Sequence, residues 1–163
     1  MAKLVYLGLG SNIGDRMEYL KAAIERLSRA RVRVLRASPV YETEPVDYAA
    51  QGWFLNQVVE AETELFPLQL LAATQRIERG LGRVRTVPKG PRTLDIDILF
   101  YGKAVVRTER LEIPHPRVGE RRFVLAPLAD LAAELRHPVT HHSVREMLDS
   151  APAATVRRLT ELG

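Results

Sequence analysis

The sequence contains no cysteine. That absence removes a disulfide scaffold, a thiolate zinc site, a thiol nucleophile and cysteine redox chemistry together, and it fits a reducing cytoplasm. Long apolar runs are missing as well. Residues 4–9 form a short one with only Lys3 before it, and it breaks at Gly10-Ser11-Asn12, far short of a signal-peptide core or of the ~20 residues that span a bilayer. The expectation is therefore a cytoplasmic chain with no export signal and no membrane partner. No repeat, low-complexity tract or Gly/Ser linker interrupts the sequence and its 10 prolines are scattered, so no domain boundary is visible. What remains, 163 residues with 46% hydrophobic and 27% charged, reads as one folded domain over residues 1–163, large enough to bury roughly two thirds of its unfolded surface.

Lysine is scarce, 4 residues against 20 arginines. The net charge of +4 is unevenly spread: residues 76–122 hold 12 basic and 6 acidic side chains, a local +6, so the remainder sums to −2. A focused positive stretch favours a polyanion such as nucleic acid or a nucleotide polyphosphate, and arginine grips phosphate through a planar fork of donors that lysine lacks. A general preference of the source for arginine is the alternative reading.

Hydrophobic periodicity predicts the elements. Residues 3–9 read as a buried strand ending in glycine. Asp15 is a candidate N-cap for a helix through Arg29, with Met17, Leu20, Ile24 and Leu27 at helical spacing. Alternation at Arg31, Val32, Arg33 and Val34 starts a second strand, which is expected to run toward Val40 and Tyr41. Residues 54–64 alternate as a third, with Leu55, Gln57, Val59 and Ala61 on one face and Phe54, Asn56, Val58 and Glu60 on the other. Pro67 suits a first helical turn, and Leu68, Leu71, Gln75 and Glu78 form the expected buried stripe of a helix stopping near Gly80 or Gly82. Residues 94–101 are a fourth strand. The order β-α-β-β-α-β predicts an α+β, ferredoxin-like core, an antiparallel sheet with both helices on one face; the last 60 or so residues would decorate it as a C-terminal extension.

The chemistry concentrates in Leu94-Asp95-Ile96-Asp97-Ile98-Leu99-Phe100. On a strand, Leu94, Ile96, Ile98 and Phe100 share one face and both aspartates the other, their Cα atoms about 6.5–7 Å apart. Two carboxylates aimed the same way repel unless cations lie between them, and hard oxygen ligands at this spacing suit Mg²⁺, particularly a pair of ions completed by phosphate and water. A solvated strand face is the plain alternative. The neighbourhood favours the first: Gly90-Pro91-Arg92 precedes, and Arg83 and Arg85 flank the loop before it, the mixture of acids and arginines a metal–polyphosphate site needs. That loop, residues 83–92, carries four cations without apolar periodicity and is either an exposed basic loop or one that closes over a nucleotide. Gly8-Leu9-Gly10-Ser11-Asn12-Ile13-Gly14 fits neither a G-x-G-x-x-G nor a G-K-[ST] phosphate loop and reads as a tight turn. Trp53, Phe54, Tyr101 and Phe123 are either stacking platforms or core residues.

Taken together, Leu9-Gly10-Ser11-Asn12, Tyr41-Glu42-Thr43, Phe54-Leu55-Asn56, Gln75-Arg76-Ile77-Glu78, Gly82-Arg83-Val84-Arg85, Gly90-Pro91-Arg92-Thr93-Leu94-Asp95-Ile96-Asp97 and Ile113-Pro114-His115-Pro116 resemble the 6-hydroxymethyl-7,8-dihydropterin pyrophosphokinase family of folate biosynthesis. The resemblance covers nearly the whole chain in order. It implies an ATP-dependent diphosphotransferase with the ferredoxin-like core, taking ATP and 6-hydroxymethyl-7,8-dihydropterin and releasing AMP. Carried over by motif, Asp95 and Asp97 would ligate two Mg²⁺, and Arg83 and Arg92 would be catalytic. Gln75, Arg83, Arg85, Arg92, Ile98, Arg110, His115 and Arg121 would bind ATP. Thr43, Glu44, Val46, Phe54, Asn56 and Phe123 would bind the pterin, with Phe54 and Phe123 as an aromatic sandwich and Asn56 pairing with the ring's polar edge. Lys89 stands where some members have Trp, and Pro116 where some have Tyr. The expected state is a monomer without a nucleic-acid partner.

Two other classes compete: an RNA-binding module, which predicts an exposed aromatic run on the central strands that is absent here, and a ligand sensor on the same fold. If the arginines of the basic loop act mainly in the transition state, Arg83→Ala and Arg92→Ala will lower kcat and kcat/KM together, on the order of 10²–10³. Steady-state kinetics of each variant check this, and a pure KM effect would make them ATP anchors.

Overall fold

A computed structural model describes residues 1–44, 52–82 and 93–159. Strand β1 spans Lys3–Ser11 and helix α1 Arg16–Arg29. The side chain of Asp15 accepts from the Glu18 N–H as the expected N-cap. The glycine-rich turn is shorter than predicted. Gly8 and Gly10 lie inside β1, and only Gly14, with φ of +74°, takes the left-handed conformation of the turn itself.

The second predicted strand is two. β2, Val32–Ala37, pairs with the far half of β4, Phe54–Thr63, whereas β3, Tyr41–Thr43, pairs with its near half. Ser38 and Pro39 separate them: Pro39 cannot donate to a ladder, while Ser38 Oγ accepts from Val58 N–H at 3.0 Å and so takes over at the break. Helix α2 is Pro67–Gly80. Its buried stripe is Leu70, Ala73, Thr74, Ile77 and Glu78, so the expected stripe was rotated, and Leu68 is 43% exposed.

β5, Asp95–Tyr101, corrects the alternation predicted for it. Register against β1 runs Gly10↔Asp95, Gly8↔Asp97 and Leu7↔Ile98 and then jumps to Tyr6↔Phe100. The extra residue is a β-bulge, and past it the faces exchange: Phe100 joins Leu99 on one face instead of Ile98 on the other.

The remaining elements are β6 (Val106–Arg107), β7 (Glu112–Ile113), a 3-10 turn (Val118–Glu120), α3 (Arg122–Ala132), α4 (Val144–Ser150) and β8 (Val156–Arg158). The main sheet orders β5-β1-β4-β3-β8, with β2 beside β3 on β4, and all its pairs are antiparallel. Helices α1 and α2 cover one face through Leu20, Leu27, Leu70 and Ile77, packed on Val5, Leu7, Val59 and Ile96. The C-terminal extension does more than decorate. α3 and α4 build a second core on the opposite face, over Tyr6, Val58, Leu99 and Phe100; each buried aliphatic side chain contributes roughly 1.5–3 kcal/mol. Among the described residues, no helix is long and apolar enough to cross a membrane.

A half-buried polar knot fastens α3 to the sheet. Arg36 donates to both carboxylate oxygens of Glu60 at 3.0 Å, Tyr6 Oη donates to Glu60 at 2.5 Å, and Arg36 also reaches the Leu131 carbonyl at 2.8 Å. The Tyr41 hydroxyl adds a bond to Asp130, and burial, reinforced by that bond, pushes it up to about 12. The bidentate Arg36 holds the Glu60 carboxyl below the usual carboxylate range, against the opposing effect of burial and helped by Tyr6. A lowered folded-state value means that the stability Glu60 contributes is complete above its unfolded value and disappears as pH falls through the folded one. Glu60→Ala, which leaves the buried Tyr6 hydroxyl without its acceptor while Arg36 turns to solvent, is expected to cost about 1–3 kcal/mol at neutral pH and less in acid; urea unfolding at pH 7 and below pH 4 checks this.

Candidate active site

The face beneath α3 and α4 is only partly covered. Beyond Tyr6 and Val58 it continues into Gly8 and Gly10 on β1, Phe54 and Asn56 on β4, and Asp95 and Asp97 on β5, where Phe54 and both aspartates are half-buried. Register aligns Asp95, Gly10, Asn56 and Tyr41 in one row across four strands. Strands lie about 4.8 Å apart, so the Asp95 carboxylate and the Asn56 amide stand roughly 10 Å apart with a glycine between them. A Cβ at Gly10 would meet Asn56 Oδ1 at 3.0 Å and Phe54 Cδ1 at 3.6 Å. The missing side chain at Gly10 thus opens the floor of a cleft, whereas Gly8 is covered by Leu99, whose Cδ2 a Cβ there would meet at 3.5 Å. The glycines' period of two, matching Asp95 and Asp97, was the sequence signal that the tight-turn reading passed over.

At one end of the row Asn56 Nδ2 donates to Thr43 Oγ1 at 2.6 Å. Thr43 and Asn56 are buried, and Glu44 beside them is exposed, its N–H donating to the Thr155 carbonyl at 3.4 Å. At the other end, Arg121 approaches Asp97 Oδ2 at 3.9 Å and lies 5.6 Å over the ring of Phe123 in the first turn of α3. His115 follows the cis Ile113–Pro114 bond, and its N–H donates to the Leu99 carbonyl at 3.1 Å, pinning it beside β5. Burial pushes its imidazolium down to about 4, Arg121 adds to that, and Asp95 opposes it. The ring is therefore neutral near pH 7. Because Nδ1 accepts from the Arg117 N–H at 3.2 Å, Nε2 carries the remaining proton and is a donor.

The structure therefore brings together Asp95, Asp97, His115 and Arg121, and groups Phe54, Asn56 and Thr43. Other expected residues stand apart. Ile98 is 5% exposed, its side chain in the core with α1 and α2, so it offers a ligand only its main chain. Arg110 is exposed between β6 and β7, and Gln75 is half-buried on α2. Val46, Arg83, Arg85 and Arg92 lie outside the described residues. Among those described, no group of three or more His, Asp or Glu could hold a metal alone. A pair of aspartates on one face instead suits Mg²⁺, which keeps few protein ligands and completes its shell with phosphate and water.

Sequence places Glu78 in a helix stripe and a motif but gives it no role of its own. Glu78, 5% exposed near the end of α2, accepts from the Ile96 N–H at 2.7 Å, on the residue between the two aspartates. Its carboxylate terminates the outer edge of β5 and ties it to α2. Glu78→Ala is expected to lower unfolding free energy by about 1–3 kcal/mol in urea titrations, with Glu78→Gln, which keeps an acceptor, losing less.

Residues 6–133 match the family model described as 7,8-dihydro-6-hydroxymethylpterin-pyrophosphokinase. The chain is 49% identical over 141 residues to the 2-amino-4-hydroxy-6-hydroxymethyldihydropteridine pyrophosphokinase of Bacillus subtilis, covering 86% of this chain and 84% of that protein. It is 46% identical over 156 residues to the folic acid synthesis protein fol1 of Schizosaccharomyces pombe, covering 95% of this chain but 21% of that protein. The chain thus spans about a fifth of the fungal relatives it matches. Among solved structures, Plasmodium falciparum HPPK-DHPS wild type with pterin and p-hydroxybenzoate is similar in fold, with TM-score 0.71 and 18% identity over 91% of this chain and 42% of that one.

Proposed function

Because the chain belongs to the 7,8-dihydro-6-hydroxymethylpterin-pyrophosphokinase family, we propose that it transfers a diphosphoryl group from MgATP to the hydroxymethyl oxygen of 6-hydroxymethyl-7,8-dihydropterin. The hydroxyl oxygen bonds to the β-phosphorus, the bond from that phosphorus to the oxygen bridging to the α-phosphorus breaks, AMP leaves and the hydroxyl proton is lost. One observation carries the reading: the row Asp95–Gly10–Asn56, with Asp97 two residues on from Asp95, sets carboxylates and an amide at opposite ends of one cleft, which suits a charged triphosphate at one end and a flat polar ring at the other.

In this reading Asn56 binds the ring's hydrogen-bonding edge, Thr43 and Glu44 border it, and Phe54 and Phe123 cover its faces. Asp95 and Asp97 hold Mg²⁺, two ions being expected, which supplies charge neutralisation of the phosphates and activation of the attacking hydroxyl. Arg121, already beside Asp97, answers the remaining phosphate charge, and the His115 Nε2–H donates to an oxygen of the nucleotide. Gln75, Arg110 and, through its main chain alone, Ile98 are the other residues proposed for ATP, and the roles proposed for Val46, Arg83, Arg85 and Arg92 fall on residues outside those described. In the same reading the chain acts as one domain, a cytoplasmic monomer without a nucleic-acid partner.

Incubation with MgATP and the reduced pterin is expected to give AMP and the pterin diphosphate; ADP instead, or no turnover, overturns the assignment. Two variants divide the cleft. Asp97→Ala is expected to reduce turnover by orders of magnitude with little change in stability. Asn56→Ala should weaken pterin binding strongly and leave MgATP binding nearly intact in calorimetric titrations, whereas equal loss for both ligands would make Asn56 merely structural.

A further inference from the structure

Behind the amide end of the cleft, on the face that carries α1, lies a cluster that the proposed reaction does not use. Glu42 on β3 receives two arginines: Arg16 from the start of α1 at 3.2 Å and Arg157 from β8 at 2.6 Å. Arg16 also donates to the Trp53 carbonyl at 2.9 Å, and the Arg157 guanidinium lies 5.0 Å over the Trp53 ring. Glu42 and Trp53 are thereby held from both sides. Each adjoins a residue that faces the cleft, Thr43 next to Glu42 and Phe54 next to Trp53, and alternation along a strand sends neighbours to opposite faces. The same short strand pairs Glu42↔Arg157 and Thr43↔Val156.

We infer that Arg157 is a positioning residue for the pterin half of the site, acting through Glu42 and Trp53 to keep Thr43, Phe54 and Asn56 in register. The argument is mechanical. β3 is only three residues long, so its ladders to β4 and β8 are short, and a shift of β3 against β4 would part Thr43 Oγ1 from Asn56 Nδ2, now 2.6 Å apart. Arg157 closes that shift from the sheet's outer side: one Nη donates to the carboxylate of β3 while the guanidinium lies over the indole leading into β4. An arginine that acted only as surface charge would not need both contacts. The inference rests on the proposed pterin site and adds a C-terminal residue to its support.

Arg157→Ala tests it, and with its side chain 64% exposed the variant is expected to fold. Trp53 is the chain's single tryptophan, so its emission reports the loss of the overlying cation directly. The expected result is a shifted Trp53 emission, a Kd for 6-hydroxymethylpterin raised about fivefold, and a Kd for a non-hydrolysable MgATP analogue changed less than about twofold. Arg157→Lys, which keeps the charge but not the planar stack, should recover part of the pterin affinity. Unchanged pterin affinity despite an altered emission overturns the inference alone, as does an equal loss for both ligands. Failure of the unsubstituted chain to bind the pterin would overturn the proposed function with it.

Discussion

A strand inside a sheet must put a side chain between those of its neighbours at every second residue, and β1 declines to do so at Gly10. The cleft depends on that omission. With β4 on one side and β5 on the other, an ordinary side chain at Gly10 would press on Asn56 and Phe54 and fill the space between amide and carboxylates. Glycine in a strand interior weakens it, and the weakness is offset by pairing on both sides and by the buried residues that alternate with the glycines, Leu7 and Leu9, packed against α1 and α2.

The two layers of helix divide the work. α1 and α2 cover one face and provide the larger apolar core, while α3 and α4 cover half of the other, with a core that ends with Leu99 over Gly8. α3 stays there because the Glu60–Arg36–Tyr6 knot and the Tyr41–Asp130 bond hold its C-terminal half, and the Arg122 guanidinium donates to the Ala151 carbonyl at 2.8 Å at its start. Its first turn therefore presents Phe123 and the preceding Arg121 at the open end. The bulge in β5 lets Phe100 pack under α3 while Asp95 and Asp97 remain on the cleft side.

Much of this was legible in the chain. The alternation of residues 54–64 assigned Asn56 and Phe54 to one face correctly, and the Asp-x-Asp spacing placed both carboxylates together, because a period of two is a local property of extended backbone. The stripe of α2 was misjudged because Leu68 and Leu71 are as apolar as Leu70, and composition within one turn does not say which leucine meets the sheet. β2 was run into β3 because the chain between them stays extended at Ser38 and Pro39 and changes only its partner residues on β4.

Sequence alone determined most elements up to residue 101, the faces of the central strands as far as the bulge, the clustering of positive charge and the family likeness, all of which reside in short-range spacing. Tertiary structure alone decided which elements share a row. Asp95, Gly10 and Asn56 are far apart in the chain and adjacent only through register, and no local pattern announces a bulge that appears when β5 is laid against β1. Glu78 meeting Ile96, and Arg157 meeting Glu42 and Trp53, belong to the same class. Each is a polar group whose partner comes from another element, so its identity is set by packing rather than by sequence neighbours.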